Sequence, residues 1–227
     1  MNLLKPKTIN ISKSFLHQSD GEVKKQMKKY IDGRFPFCWG YVGVNKIGKS
    51  AKARQAAEWY RESHPKNLNI AHDPQHQFRS IADYFIHPDD DMWVEKLLPL
   101  SNCLVILDEL RMIHEQPSPM KGMREFLSMK SDRNVDIIWI VHSPLSVLNI
   151  MADYTTRYHI FLTMAQEGSF DRKIPNSHYC ITASNYVNNY VARKGRGEYP
   201  NFPYMVVDIE KQSINGYNMD ATAFENI

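Results

Sequence analysis

Residues Gly43 to Ser50 read Gly-Val-Asn-Lys-Ile-Gly-Lys-Ser, the full phosphate-loop pattern G-x-x-x-x-G-K-S. The pattern constrains the fold because it works only between a buried strand and a helix. Both flanks are present. Ahead of it lies the apolar, aromatic-rich run Phe35-Pro36-Phe37-Cys38-Trp39-Gly40-Tyr41-Val42, which reads as a buried strand. Behind it, residues 51–62 are rich in strong helix formers, and Pro65 closes that helix. A loop of this kind wraps main-chain N–H groups around the phosphates of a nucleotide. Gly43, Val44, Asn45, Lys46, Ile47, Gly48, Lys49, Ser50 and Ala51 are therefore the candidate nucleotide-binding residues. Lys49 is expected to reach the β- and γ-phosphates, and the Ser50 hydroxyl to ligate Mg²⁺. The helix N-terminus adds positive potential.

A second element completes the pattern. The run Cys103-Leu104-Val105-Ile106-Leu107 leads straight into Asp108-Glu109. Continuous apolar runs suit strands of a parallel sheet that are covered on both faces. The carboxyl ends of such strands carry the ligand sites of open α/β sheets. Asp108 is thus expected at the Mg²⁺ shell, and Glu109 beside the γ-phosphate as the base for an attacking water. The second acid favours hydrolysis over a binding-only switch.

The remaining pattern alternates strands and helices, which predicts βαβ units and a mainly parallel, doubly wound sheet. Further strands are expected at 68–72, 135–141 and 158–162, with helices over 21–30, 75–85, 89–98 and 123–129. The stretch 111–122, with Pro117 and Pro119, reads as a long functional loop. From residue 164 onward, short β runs are expected at 179–182, 186–191 and 204–209, with a turn at Asn215-Gly216. The organisation expected is an N-terminal extension (1–34), an α/β core (35–163) and a small antiparallel extension (164–227) of the same domain.

Composition narrows the class. The chain has 227 residues, 43% of them hydrophobic, and a formal net charge of +3. That balance permits a polyanionic partner without demanding one. Cys38, Cys103 and Cys180 are widely spaced and read as reduced thiols, without a zinc pattern. No apolar stretch is long enough to suggest a membrane span or a signal peptide.

Within this frame, the stretch Ile106-Leu107-Asp108-Glu109, followed by residues 131–144 (SDRNVDIIWIVHSP), is similar to the FtsK–HerA superfamily of P-loop ATPases. It looks most like the genome-packaging ATPases of membrane-containing and related icosahedral viruses, and more distantly like Zot-type assembly ATPases of filamentous phages. The resemblance covers about residues 35–163. It implies a three-layer P-loop sheet in the order 5-1-4-3-2, counting strands along the chain. It implies an ATP- and Mg²⁺-dependent motor that moves DNA and acts as a homo-oligomeric, often hexameric, ring. A packaging motor of this type works in the host cytoplasm or at a capsid vertex or portal. Lys49 and Glu109 take the catalytic positions, and Ser50 and Asp108 the metal positions. Arg133 falls near the family's arginine that reaches a neighbour's γ-phosphate, with Arg124 and Arg157 as rivals. His142 stands where a γ-phosphate sensor is usual, though that position normally carries an amide or hydroxyl, and Ser143 is the alternative. Two segments carry positive charge suited to a DNA channel: Lys121 and Arg124, and the cluster Arg193, Lys194 and Arg196. Alternative readings are a Zot-like assembly or secretion ATPase and a nucleotide-gated switch.

Overall fold

A computed structural model describes residues 20–33, 35–87, 90, 92–109, 119–164, 170, 174–198 and 201–220. The elements run α1 (Asp20–Ile31), β1 (Cys38–Val42), α2 (Lys49–Ser63), β2 (Leu68–His72), β3 (Tyr84–Ile86), α3 (Trp93–Leu97) and β4 (Cys103–Leu107). They continue with α4 (Pro119–Met129), β5 (Val135–Val141), a short 3₁₀ turn (Pro144–Ser146), α5 (Asn149–Tyr154), β6 (Arg157–Ile160), α6 (Ser177–Lys194), β7 (Tyr204–Asp208) and β8 (Ser213–Tyr217).

All eight strands form one sheet in the order β3-β2-β4-β5-β1-β6-β7-β8. Pairing is parallel from β3 to β6, and antiparallel between β6 and β7 and between β7 and β8. The five strands foreseen in the core lie in the expected order, since β6-β1-β5-β4-β2 is 5-1-4-3-2 in their own count. The strands β1, β4 and β5 are buried at every position, as runs without polar alternation require. Side chains alternate between two cores. Cys38, Val105, Ile137, Trp139 and Tyr158 face α3–α6. Trp39, Tyr41, Leu104, Ile138 and Ile140 face α1 and α2. The result is a three-layer α/β sandwich.

α1 packs on α2. Met27 and Ile31 enter the core, and Lys24 and Lys28 pair with Glu62. Its far end is fixed by Tyr30, whose ring lies 2.9 Å from the Arg157 guanidinium carbon and whose hydroxyl accepts from Lys211 Nζ. These bonded and charged neighbours lower the Tyr30 pKa against the opposing effect of burial.

Four expectations fail, each for a local reason. Residues 75–85 are turns followed by β3, not a helix. The Asp73 carboxylate accepts from the Gln75 and Phe78 N–H groups, which closes the chain into a turn. The Asp83 carboxylate then accepts from Asn69 N and from Arg61, pulling the chain onto the β2 edge. The helix expected at 89–98 is only α3, because Asp90 accepts from Met92 N and makes a turn there. The segment 179–191 is helical, not two strands. Its buried residues Cys180, Ala183, Ser184 and Val187 recur at helical spacing, and the β-prone Tyr, Ile and Val between them misled the pattern. Asn215 and Gly216 lie inside β8, opposite Val206 and Met205. The turn sits instead at 209–212, where Asp208 Oδ1 accepts from Lys211 N and Gln212 takes φ 51°. Of the expected 111–122 loop, residues 111–118 lie outside the described residues, and Pro119 already begins α4. Among the described residues no helix is long and apolar enough to cross a membrane.

Candidate functional site

Parallel pairing brings the carboxyl ends of β1, β2, β4, β5 and β6 to one edge, so the residues after those strands meet there. The loop 43–48 follows β1 and is held from both sides. Gly43 N donates to Val141 O at 3.3 Å and Val44 N to Leu162 O at 2.8 Å. Gly43 must lack a side chain, because a Cβ would lie 2.7 Å from both Phe161 Cβ and Ile47 Cδ1. Gly48 caps α2 with φ 83°, a left-handed geometry that glycine alone adopts without strain. A Cβ there would lie 2.5 Å from the Phe202 ring. Ser50 and Ala51 form the first turn of α2.

Lys49 is buried, with only 3% of its surface exposed. Its ammonium donates to Val44 O at 2.6 Å and to His142 Nδ1 at 3.1 Å. Burial pushes its pKa down to about 8, against the charges of Asp108 and Glu109. Because Lys49 donates to Nδ1, the imidazole proton sits on Nε2, which donates to Glu109 Oε1. Gln75 Nε2 donates to the same Oε1 at 3.0 Å, and Gln77 Nε2 to Gln75 Oε1 at 2.6 Å. A continuous polar chain thus runs Lys49–His142–Glu109–Gln75–Gln77. Ser143 is occupied elsewhere, since its hydroxyl accepts from Leu145 N at the following turn. Of the two sensor candidates, only His142 meets the lysine and the glutamate.

Asp108 is 1% exposed. Its Oδ1 accepts from Glu109 N at 2.9 Å, while Oδ2 has no hydrogen-bond partner among the described residues. Burial raises its pKa to about 7, with the Asp73 and Glu109 charges adding to the effect. A buried carboxylate oxygen left without a donor suits a cation. Ser50 and Asp108, as oxygen donors beside a phosphate loop, fit Mg²⁺. Glu109 itself takes φ 56°, a costly backbone position for a residue with a side chain. The surrounding cleft has a volume of about 550 Å³, and Gly48, Ser50, Arg54, Gln75, His142 and Phe202 are among its walls.

Gln75, Gln77, Arg54 and Phe202 were not foreseen as parts of the site. Reading 75–85 as a helix hid the glutamines, although the strand end at Asp73-Pro74 placed them at the ligand edge. Phe202, beside the basic cluster, reads in the sequence as an aromatic for stacking on single-stranded DNA bases, not as a wall of this cleft.

The remaining candidates lie elsewhere. Arg133 stands before β5, at the opposite edge. Its guanidinium donates to Leu98 O, and the seven-residue length of β5 separates it from His142 by roughly 20 Å. Arg157 is buried in a pair with Asp208, which excludes it as an arginine presented to a neighbour. Arg124 is exposed on α4, and the Lys121 side chain lies outside the described residues. Arg193, Lys194 and Arg196 are exposed at the end of α6. Because β7 starts at the carboxyl edge, this cluster lies toward the same edge of the sheet as the phosphate loop. Arg196 also borders a crevice shared with Ile47 and Phe202.

No family model and no curated protein matches the chain by sequence. Solved structures do match. The genome packaging NTPase B204 from Sulfolobus turreted icosahedral virus 2, in complex with ATP-gammaS, is 15% identical with a TM-score of 0.54, covering 81% of this chain and 97% of that one. B204, the DNA-packaging ATPase from Sulfolobus turreted icosahedral virus, is 14% identical with a TM-score of 0.54, covering 82% and 98%. EccC of Thermomonospora curvata (ATPases 2 and 3, with a signal sequence peptide) is 11% identical with a TM-score of 0.56, covering 82% of this chain and 36% of that one. At these identities the likeness is one of fold. The chain has the P-loop ATPase fold.

Proposed function

We propose that this chain is an ATP-hydrolysing motor that moves DNA, working as a ring of its own copies to package a viral genome. The observation that carries the hydrolytic part is the convergence at one sheet edge of the Lys49 loop, the Asp108 Oδ2 that has no partner among the described residues, and the Glu109–His142 contact. The DNA-moving part draws support from the fold it shares with a protein described as a DNA-packaging ATPase. It also draws on the basic cluster at the end of α6.

In this reading the main-chain amides of residues 44–50 hold the phosphates. The Lys49 ammonium exchanges its His142 contact for the β- and γ-phosphate oxygens. Ser50 and Asp108 would hold Mg²⁺, which would supply positive charge against the phosphates. Glu109 orients a water and takes its proton as the water oxygen attacks the γ-phosphorus. The bond from that phosphorus to the β–γ bridging oxygen breaks, and ADP leaves. His142 turns its Nε2–H from Glu109 to the γ-phosphate, which leaves the Glu109 carboxylate free for the water. Arg133, bound at the opposite edge of its own subunit, serves a neighbour's site if the ring brings it there. An arginine supplied in this way contributes about 10³- to 10⁵-fold in known cases. Arg193 and Lys194 contact the DNA backbone.

The test is ATP hydrolysis with and without DNA, for wild type, Lys49→Ala, Glu109→Gln and the charge reversal Arg193→Glu/Lys194→Glu. DNA should stimulate wild type. Lys49→Ala and Glu109→Gln should abolish turnover, and the charge reversal should remove stimulation alone. Turnover that DNA leaves unchanged would refute the motor reading. Mixing Lys49→Ala with Arg133→Ala subunits should restore some turnover if the arginine acts across an interface.

A further inference from the structure

Phe202 occupies an unusual place for a residue so far along the chain. It arrives at the ligand edge just before β7, and its ring lies against Gly48 so closely that only a missing Cβ allows it. The same ring borders two spaces: the large cleft that holds the phosphate loop, and a narrow crevice lined by Ile47, Leu162, Val191 and Pro203.

The backbone that carries Phe202 is fixed. Its carbonyl accepts from Asn218 Nδ2 at 3.0 Å. Just before it, Asn201 N donates to Glu198 O at 2.6 Å. Gly197 takes φ 73° and packs against Asn201 O, and Pro203 restricts the backbone of the residue before it. An aromatic wall held in this way needs little ordering when a flat ligand lands on it.

We propose that Phe202 is the stacking wall for the base of the nucleotide, and that the cleft thereby takes purine nucleoside triphosphates in preference to pyrimidine ones. This rests on the phosphate-loop reading of the cleft. A triphosphate seated on residues 44–50 fills only the loop and its mouth, and the nucleoside must leave that mouth along a wall. Phe202 is the aromatic wall among the residues bordering the cleft. Stacking on an aromatic face tolerates either purine, since every base has such a face, and it rewards the larger ring system.

The experiment compares ATP with inorganic tripolyphosphate, which keeps the charge and lacks the base, by calorimetry in Mg²⁺. The proteins are wild type, Phe202→Ala and Phe202→Trp, each checked for folding by circular dichroism. Wild type should bind ATP more tightly than tripolyphosphate, and GTP more tightly than CTP. Phe202→Ala should weaken ATP about tenfold and leave tripolyphosphate unchanged, while Phe202→Trp retains ATP. Parallel loss of both ligands would overturn the proposal, because the ring would then only prop the Gly48 turn. Unchanged ATP affinity, or equal wild-type affinity for the two ligands, would overturn it as well. Wild type binding neither ligand would instead defeat the phosphate-loop reading beneath it.

Discussion

Replacing Asp208 by Asn tests how the sheet is closed around the site. Asp208 faces Arg157 across the β6–β7 ladder, and each residue is 5% exposed. Arg157 Nε and Nη2 both donate to Asp208 Oδ2, at 3.1 and 2.6 Å, while Oδ1 caps the β7–β8 turn. An asparagine that keeps the cap turns its NH₂ toward the guanidinium, so donor meets donor and a buried charge loses its carboxylate, keeping only the Tyr30 ring. Such a loss costs about 3–5 kcal/mol. For a chain of this size that lowers Tm by roughly 10 °C. The assay is urea and thermal unfolding followed by circular dichroism. Converting the pair together, Arg157→Met with Asp208→Leu, should recover most of the loss, because a packed apolar pair rivals a buried ion pair. A loss below about 1 kcal/mol in Asp208→Asn would refute the account, since that is the size expected of an exposed pair. It would also reopen Arg157 as an arginine available to a neighbouring subunit.

Other expectations follow from single contacts. Asp136 is buried, accepts from Phe37 N at 2.7 Å, and has its pKa raised to about 7, chiefly by burial. Its folded pKa lies above the unfolded one, so its protonated form stabilises fully below pH ~4 and that contribution is lost as pH rises toward ~7. Asp136→Asn should therefore gain stability relative to wild type between pH 4 and pH 7, by a few kcal/mol at order of magnitude, and a pH-independent difference in urea midpoints would contradict this. Gly48→Ala should weaken ATP binding by more than about tenfold, because it combines left-handed strain with a collision against Phe202; calorimetry showing wild-type affinity would contradict the geometry.

The core was readable in the sequence where local pattern and tertiary role agree. The runs before Gly43 and Asp108 are apolar throughout because both faces of the sheet are covered, and the loop motif has one structural context. Reading failed where side chains override the pattern. Asp73 and Asp83 capture main-chain N–H groups and turn 75–85 away from helix. In α6 the tyrosines, valines and isoleucines point to strand by propensity, whereas the spacing of Cys180, Ala183, Ser184 and Val187 points to helix and prevails. These two errors concealed Gln75 and the place of Phe202 at the cleft, the parts of the site contributed by elements far from the motif. His142 was legible as a position, but its link between Lys49 and Glu109 needed the sheet order.

The central claim is that residues 43–51 with Asp108 and Glu109 bind and hydrolyse a nucleoside triphosphate. Its most direct test is calorimetric titration of Mg²⁺–ATP into wild type, Lys49→Ala and Glu109→Gln. Binding by wild type and Glu109→Gln, with none by Lys49→Ala, is the predicted result. Absence of heat with wild type, or undiminished affinity in Lys49→Ala, would contradict it.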